Sequence, residues 1–77
     1  MAMVDLRNAF QGALGDRGSV RSGTLKYDRA GRGQVVTFSF AKPDGSNEVV
    51  TDTIPNNTDL IAAAAKMATD WITANPS

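Results

Sequence analysis

Between Gln34 and Ala41 the chain alternates without a break: Val36, Phe38 and Phe40 fall on one side of an extended strand, and Val35, Thr37 and Ser39 on the other. Side chains along a strand point to opposite faces with a period of two, so one face of this segment is wholly apolar. The other carries small, β-branched or hydroxyl residues. The apolar face must be covered, by packing within these 77 residues or by self-association. A chain of this length buries about 60% of its unfolded surface and builds one core, so a single small domain over residues 1–77 is expected.

Two segments have the pattern of the cover. Met3, Leu6, Phe10, Ala13 and Leu14 recur at three-to-four-residue spacing, which places them along one stripe of a helix. Asp5 is suited to cap its start, and Gly15 to end it in the left-handed conformation. A second helix is expected over about Asp59 to Ala74, capped by Thr58 or Asn57. Leu60, Ala64, Met67 and Trp71 form one stripe beside Ile61, Ala65, Ala68 and Ile72, leaving Asp59, Lys66, Asp70 and Thr73 for solvent. Such a helix lies flat on a sheet, and the Ala62 to Ala65 run permits a close approach.

Two further strands flank the central one. Val20 to Asp28 alternates, with Gly23, Leu25 and Tyr27 on one side and Thr24, Lys26 and Asp28 on the other. Arg29-Ala30-Gly31-Arg32-Gly33 then makes a turn. Lys42-Pro43-Asp44-Gly45-Ser46 makes the next, because proline presets one backbone angle and Asp-Gly supplies a positive one. In the third strand, Asn47 to Ile54, Val50 and Ile54 share a face with Glu48 and Asp52, whereas Val49 shares the other with Thr51 and Thr53. Either a bulge reconciles the two halves or something else covers one face. The fold class expected is α+β in α-β-β-β-α order, a three-stranded antiparallel sheet with both helices on one face.

The net charge of zero hides a polarity along the chain. Arg17, Arg21, Lys26, Arg29, Arg32 and Lys42 face only Asp28 between residues 17 and 42, a net of +5. From residue 43 onward Asp44, Glu48, Asp52, Asp59 and Asp70 face only Lys66, a net of −4, and the first sixteen residues contribute −1.

Chemistry is thinly represented. The chain has no histidine and no cysteine, so the usual neutral-pH general base, a thiolate nucleophile, a disulfide framework and a sulfur-ligated zinc are all missing. The eight acids show no paired spacing; Asp52 is the one to check for an unusual protonation state. No enzyme, cofactor or metal is expected. Residues 1–10 lack an apolar signal-peptide core, and no stretch of about 18 apolar residues occurs, so a cytoplasmic protein without a membrane span is expected. Asn56-Asn57-Thr58 matches a glycosylation triplet, which reads here as a polar helix-entry loop.

Gly31-Arg32-Gly33, with Arg29, could offer backbone N–H groups and guanidinium forks to phosphate, but it is neither a P-loop nor a dinucleotide fingerprint. Trp71 and Tyr27 could stack or anchor a partner; core packing is the expected role of both. With a basic loop between its first two strands, the element order resembles the layout of double-stranded-RNA-binding domains over most of the chain. The resemblance implies duplex contacts from that loop, where Arg29 and Arg32 stand. At the start of the last helix, where that family carries a basic cluster, this chain has Asn56-Asn57-Thr58-Asp59-Leu60, so the likeness is one of element order.

The function expected is that of a non-enzymatic interaction domain, of the kind that serves as a small viral or phage accessory or assembly component. It would dock onto a second copy of itself, giving a homo-oligomer, or onto a foreign protein in the cytoplasm. The surface expected to do so joins Val35, Thr37, Val49 and Thr51 of the uncovered sheet face, with Ser39 and Thr53, to the cations Arg17, Arg21, Lys26, Arg29 and Arg32. The alternative is a nucleic-acid-binding module using the Arg29/Arg32 loop, with weak, salt-sensitive affinity.

Overall fold

A computed structural model of the protein describes residues 3–31 and 33–76. The elements follow the expected order: α1 (Met3–Leu14), a 3-10 turn (Gly15–Arg17), β1 (Ser19–Tyr27), β2 (Gly33–Ala41), β3 (Asn47–Pro55) and α2 (Leu60–Ala74). The strands form one antiparallel sheet in the order β1-β2-β3, so β2 is central and the other two are edges. α1 packs on β1, α2 packs on β3, and the helices lie against each other. Both cover the face that the alternation in β2 makes apolar.

The core follows that alternation. Val36, Phe38 and Phe40 are 2% exposed or less, and they meet Leu6, Phe10 and Leu14 of α1, Ile54 of β3, and Ala64, Met67 and Ala68 of α2. Phe10 stacks on Phe38 with ring centroids 4.4 Å apart and sits tilted against Phe40 at 5.7 Å. The edge of Trp71 closes the chain on Phe40 at 5.0 Å. Aromatic contacts of this kind add about 0.5–1.5 kcal/mol each beyond the area they bury. This aromatic line ties α1 and α2 to the middle of the sheet.

Several local features depart from the expectations above. The bulge lies in β1 and not in β3. β3 pairs with β2 without interruption from Asn47 opposite Ala41 to Pro55 opposite Gly33, so Glu48, Val50, Asp52 and Ile54 share the helix side. The two acids are tolerated there because β3 is an edge strand and both keep contact with solvent. In β1 the register slips between Val20 and Ser22, with Val20 opposite Phe40 and Ser22 opposite Ser39. Strict alternation would put Val20 and Gly23 on opposite faces; the extra residue lets both face the helices, where Val20 packs on the core.

The cap of α2 is Asp59, whose Oδ1 accepts from the N–H groups of Ile61 at 3.0 Å and Ala62 at 3.3 Å. Thr58 and Asn57 lie before it, and Asn57 takes a positive φ of 66° in the loop. Asp5 sits within the first turn of α1, not before it. Gly15 ends that helix at φ 64°, as expected, and Gly45 takes φ 88° in the β2–β3 turn. Gly33 is required by contact: a Cβ there would lie 2.0 Å from the carbonyl oxygen of Ile54.

Candidate interaction surface

Among the described residues, no element covers the face of the sheet away from the helices. From the strand registers, Ser22, Thr24 and Lys26 of β1 stand beside Ser39, Thr37 and Val35 of β2, which stand beside Val49, Thr51 and Thr53 of β3. Four of the expected site residues, Val35, Thr37, Val49 and Thr51, therefore lie together as anticipated. Val49 is the most exposed apolar side chain of the face, at 57%. No carboxylate occupies any of these positions.

The polar groups of the face are partly paired among themselves. The hydroxyls of Thr37 and Thr51 are 2.6 Å apart, and the Thr51 hydroxyl also donates to the carbonyl of Val36 at 3.2 Å. The Asn47 side-chain amide donates to the Ser39 hydroxyl at 3.2 Å. A hydroxyl that already has a partner costs less to remove from water than a free one. The threonine methyls and the two valines are what remain for a neighbour to cover.

The charge polarity of the sequence becomes a polarity across the sheet, because Arg21, Lys26 and Arg29 lie in β1 and its hairpin while Glu48, Asp52, Asp59 and Asp70 lie in β3 and at or within α2. Beside the acids, Lys42 of the basic segment and Lys66 of the acidic one are both engaged. Lys42 Nζ lies 3.7 Å from Glu48, and Lys66 Nζ lies 2.7 Å from Asp70. The hydrogen bond to Asp70, then its charge, raises the Lys66 ammonium above its ordinary value. On the basic side, Arg21, Lys26 and Arg29 are exposed, and among the described residues none is in salt-bridge contact with a carboxylate. Arg32 lies outside the described residues.

Arg17 and Tyr27 occupy other places than the sequence suggested. Arg17 Nη2 donates to the carbonyl of Asn75, and its guanidinium lies 5.7 Å from the Trp71 ring centre. It therefore secures the end of α2, and Trp71 is half-buried against Phe40, close to its expected packing role. Tyr27 is not in the core: it is 83% exposed at the end of β1, two steps along the helix side of the strand from Gly23, on which Met3 of α1 packs. Leu25 of β1 and Val4 of α1, which the sequence did not single out, are also exposed, at 36% and 54%. Gln11 was missed as well. Its side chain donates to the carbonyls of Gly18 at 2.9 Å and Gly15 at 3.2 Å and accepts from the Val20 N–H at 2.8 Å, so it takes the place of a neighbouring strand at the start of β1.

Asp52 lies at an exposed margin, where its Oδ1 accepts from the N–H of Thr53 at 2.9 Å. With Lys66 and Asp70 it lines an open groove of about 240 Å³ between β3 and α2. Among the described residues no group of three histidine, cysteine, aspartate or glutamate side chains is placed to hold a metal ion, and no helix is long and apolar enough to cross a membrane. The fold and this surface define a small α+β domain with one sheet face and one basic edge open. Compared with protein-family models, curated proteins and solved structures, the chain matches none.

Proposed function

We propose that this protein is a non-enzymatic interaction domain that docks other protein surfaces through the exposed side of its sheet. The observation that carries the reading is the uncovered face itself, free of acids, with Thr37 paired to Thr51 and Ser39 to Asn47. Such a face loses little hydration on being covered. Residence in the cytoplasm and an accessory or assembly role of the viral or phage type belong to the same proposal. Size-exclusion light scattering over a concentration series, for the wild type and Thr37→Glu, tests docking between copies of the chain. Association that Thr37→Glu abolishes supports the face as the contact; association that it leaves unchanged removes the face from the reading.

A nucleic-acid-binding role is the second reading, and the exposure of Tyr27 beside Lys26 and Arg29 is what favours it. A labelled single-stranded oligonucleotide titrated at about 50 mM salt, where phosphate contacts are strongest, tests it. Absence of binding under those conditions sinks that reading.

A further inference from the structure

We propose that the free edge of β1 captures an extended, acidic segment of another protein by antiparallel strand addition, with acidic and apolar residues alternating along that segment. The inference rests on the interaction-domain reading and adds to the sheet face a second contact, the β1 edge, with a partner of stated chemistry.

The backbone comes first. The N–H of Asp28 donates to the carbonyl of Gly33 at 3.0 Å, which makes residues 28 and 33 a hydrogen-bonded pair of the β1–β2 hairpin. In an antiparallel ladder such pairs alternate with pairs whose backbone groups point away. The register then turns the N–H and C=O groups of Lys26 and Thr24 toward β2, and those of Tyr27, Leu25 and Gly23 toward the open edge. Further back, the edge at Gly18 and Val20 is already occupied by the Gln11 side chain. The template available to a partner is therefore the short stretch Gly23–Tyr27, bounded by the bulge.

The side chains along that stretch give it a preference. On the helix side are Gly23, without a side chain, Leu25 and the 83% exposed Tyr27, with Val4 exposed on the first turn of α1, next in sequence to the Met3 that meets Gly23. On the open side are Thr24 and Lys26, with the exposed Arg21 at the bulge and Arg29 in the hairpin. A strand added here would place alternate residues against an apolar strip and against cations that have no carboxylate partner among the described residues. Acidic residues facing Lys26 and apolar ones facing Leu25 and Tyr27 satisfy both.

The rival occupants fit less well. A second copy offering its β1 brings cations to cations. A second copy offering its β3 brings Glu48 and Asp52 on the same face as Val50 and Ile54, the face that its own α2 covers, and Pro55 has no N–H. A nucleic acid would engage the cations and Tyr27 but leave the outward N–H row, Leu25 and Val4 unused.

The test uses the full chain and three fluorescein-labelled ten-residue probes: alternating Glu and Val, alternating Lys and Val, and the Glu–Val peptide with proline at alternate positions. Fluorescence anisotropy gives affinity, and amide chemical shifts give the place. The acidic alternating peptide is expected to bind with shifts centred on Gly23–Tyr27 and to weaken about tenfold in the double variant Arg21→Glu, Lys26→Glu, whose exposed positions leave the core intact. Leu25→Pro, which removes an outward N–H at an edge, is expected to weaken it likewise. Any of four results overturns the inference: no binding of the acidic peptide, equal binding of the Lys–Val or proline probe, shifts centred elsewhere, or tighter binding of an oligonucleotide at the same residues. If instead the light-scattering contact through Thr37 persists while the peptide fails, the strand-addition claim alone falls.

Discussion

Replacing Gln11 with alanine removes three side-chain hydrogen bonds to the backbone between the 3-10 turn and the start of β1, at 2.8, 2.9 and 3.2 Å. Each such bond contributes about 0.5–1.5 kcal/mol net, and the one to Gly15 is exposed enough for water to replace. Alanine recovers a few tenths of a kcal/mol in helix propensity. The balance is a loss of about 1.5–2 kcal/mol, which in a domain of this size lowers Tm by about 6–15 °C. Urea and thermal denaturation followed by far-UV circular dichroism measure it. Gln11→Glu keeps an acceptor for the Val20 N–H but turns a carboxylate toward the Gly15 and Gly18 carbonyls, so it is expected to be no more stable than Gln11→Ala. A loss below about 0.5 kcal/mol for Gln11→Ala would refute the reasoning, since it would mean that water serves the start of β1 as well as the side chain does.

Three further expectations follow from the core, the cap and the turn. Phe38→Ala, at a fully buried ring stacked on Phe10, is expected to cost about 3–5 kcal/mol by equilibrium unfolding, a large share of the stability of a domain this small. Asp59→Ala removes the cap of α2 and is expected to cost about 1 kcal/mol, while Asp59→Asn recovers most of it. In the β2–β3 turn the Asp44 carboxylate accepts from the Ser46 hydroxyl at 2.6 Å and the Ser46 N–H at 2.9 Å, and these donors hold it below its ordinary value of 3.8. The stability this gives the turn is therefore present at neutral pH and is lost as pH falls through the lowered value. Titration of the Asp44 side chain by NMR is expected to give a midpoint below 3.8 that moves up in Ser46→Ala; a midpoint at or above 3.8 in the wild type would contradict the geometry.

The fold was legible where a single periodicity ruled. The alternation in β2 and the stripes of α1 and α2 point Phe10, Val36, Phe38, Phe40, Ala64, Met67 and Ala68 inward, and all seven lie in the core. The bare face carrying Val35, Thr37, Val49 and Thr51 followed from the same alternation. What escaped depends on where elements stop. Tyr27 alternates in register with Gly23 and Leu25 and so reads as inward, yet nothing in its neighbourhood says that the contact with α1 falls at Gly23, where Met3 packs, while Tyr27 stays exposed. The bulge at Arg21 is invisible in composition, and its only trace is that Val20 and Gly23 cannot both face inward in a regular strand. Arg17 and Gln11 are polar residues of ordinary type whose roles come from contacts with Asn75, Gly18 and Val20, which only the folded chain brings close.

Amide hydrogen exchange along β1, read by NMR at low concentration, tests most directly whether this domain offers a free edge. The N–H groups of Thr24 and Lys26 are expected to be protected by β2, and those of Gly23, Leu25 and Tyr27 to exchange at nearly unprotected rates and to slow when the alternating Glu–Val peptide is added. Protection of Gly23, Leu25 and Tyr27 in the isolated monomer, or no slowing at saturating peptide, would contradict the account.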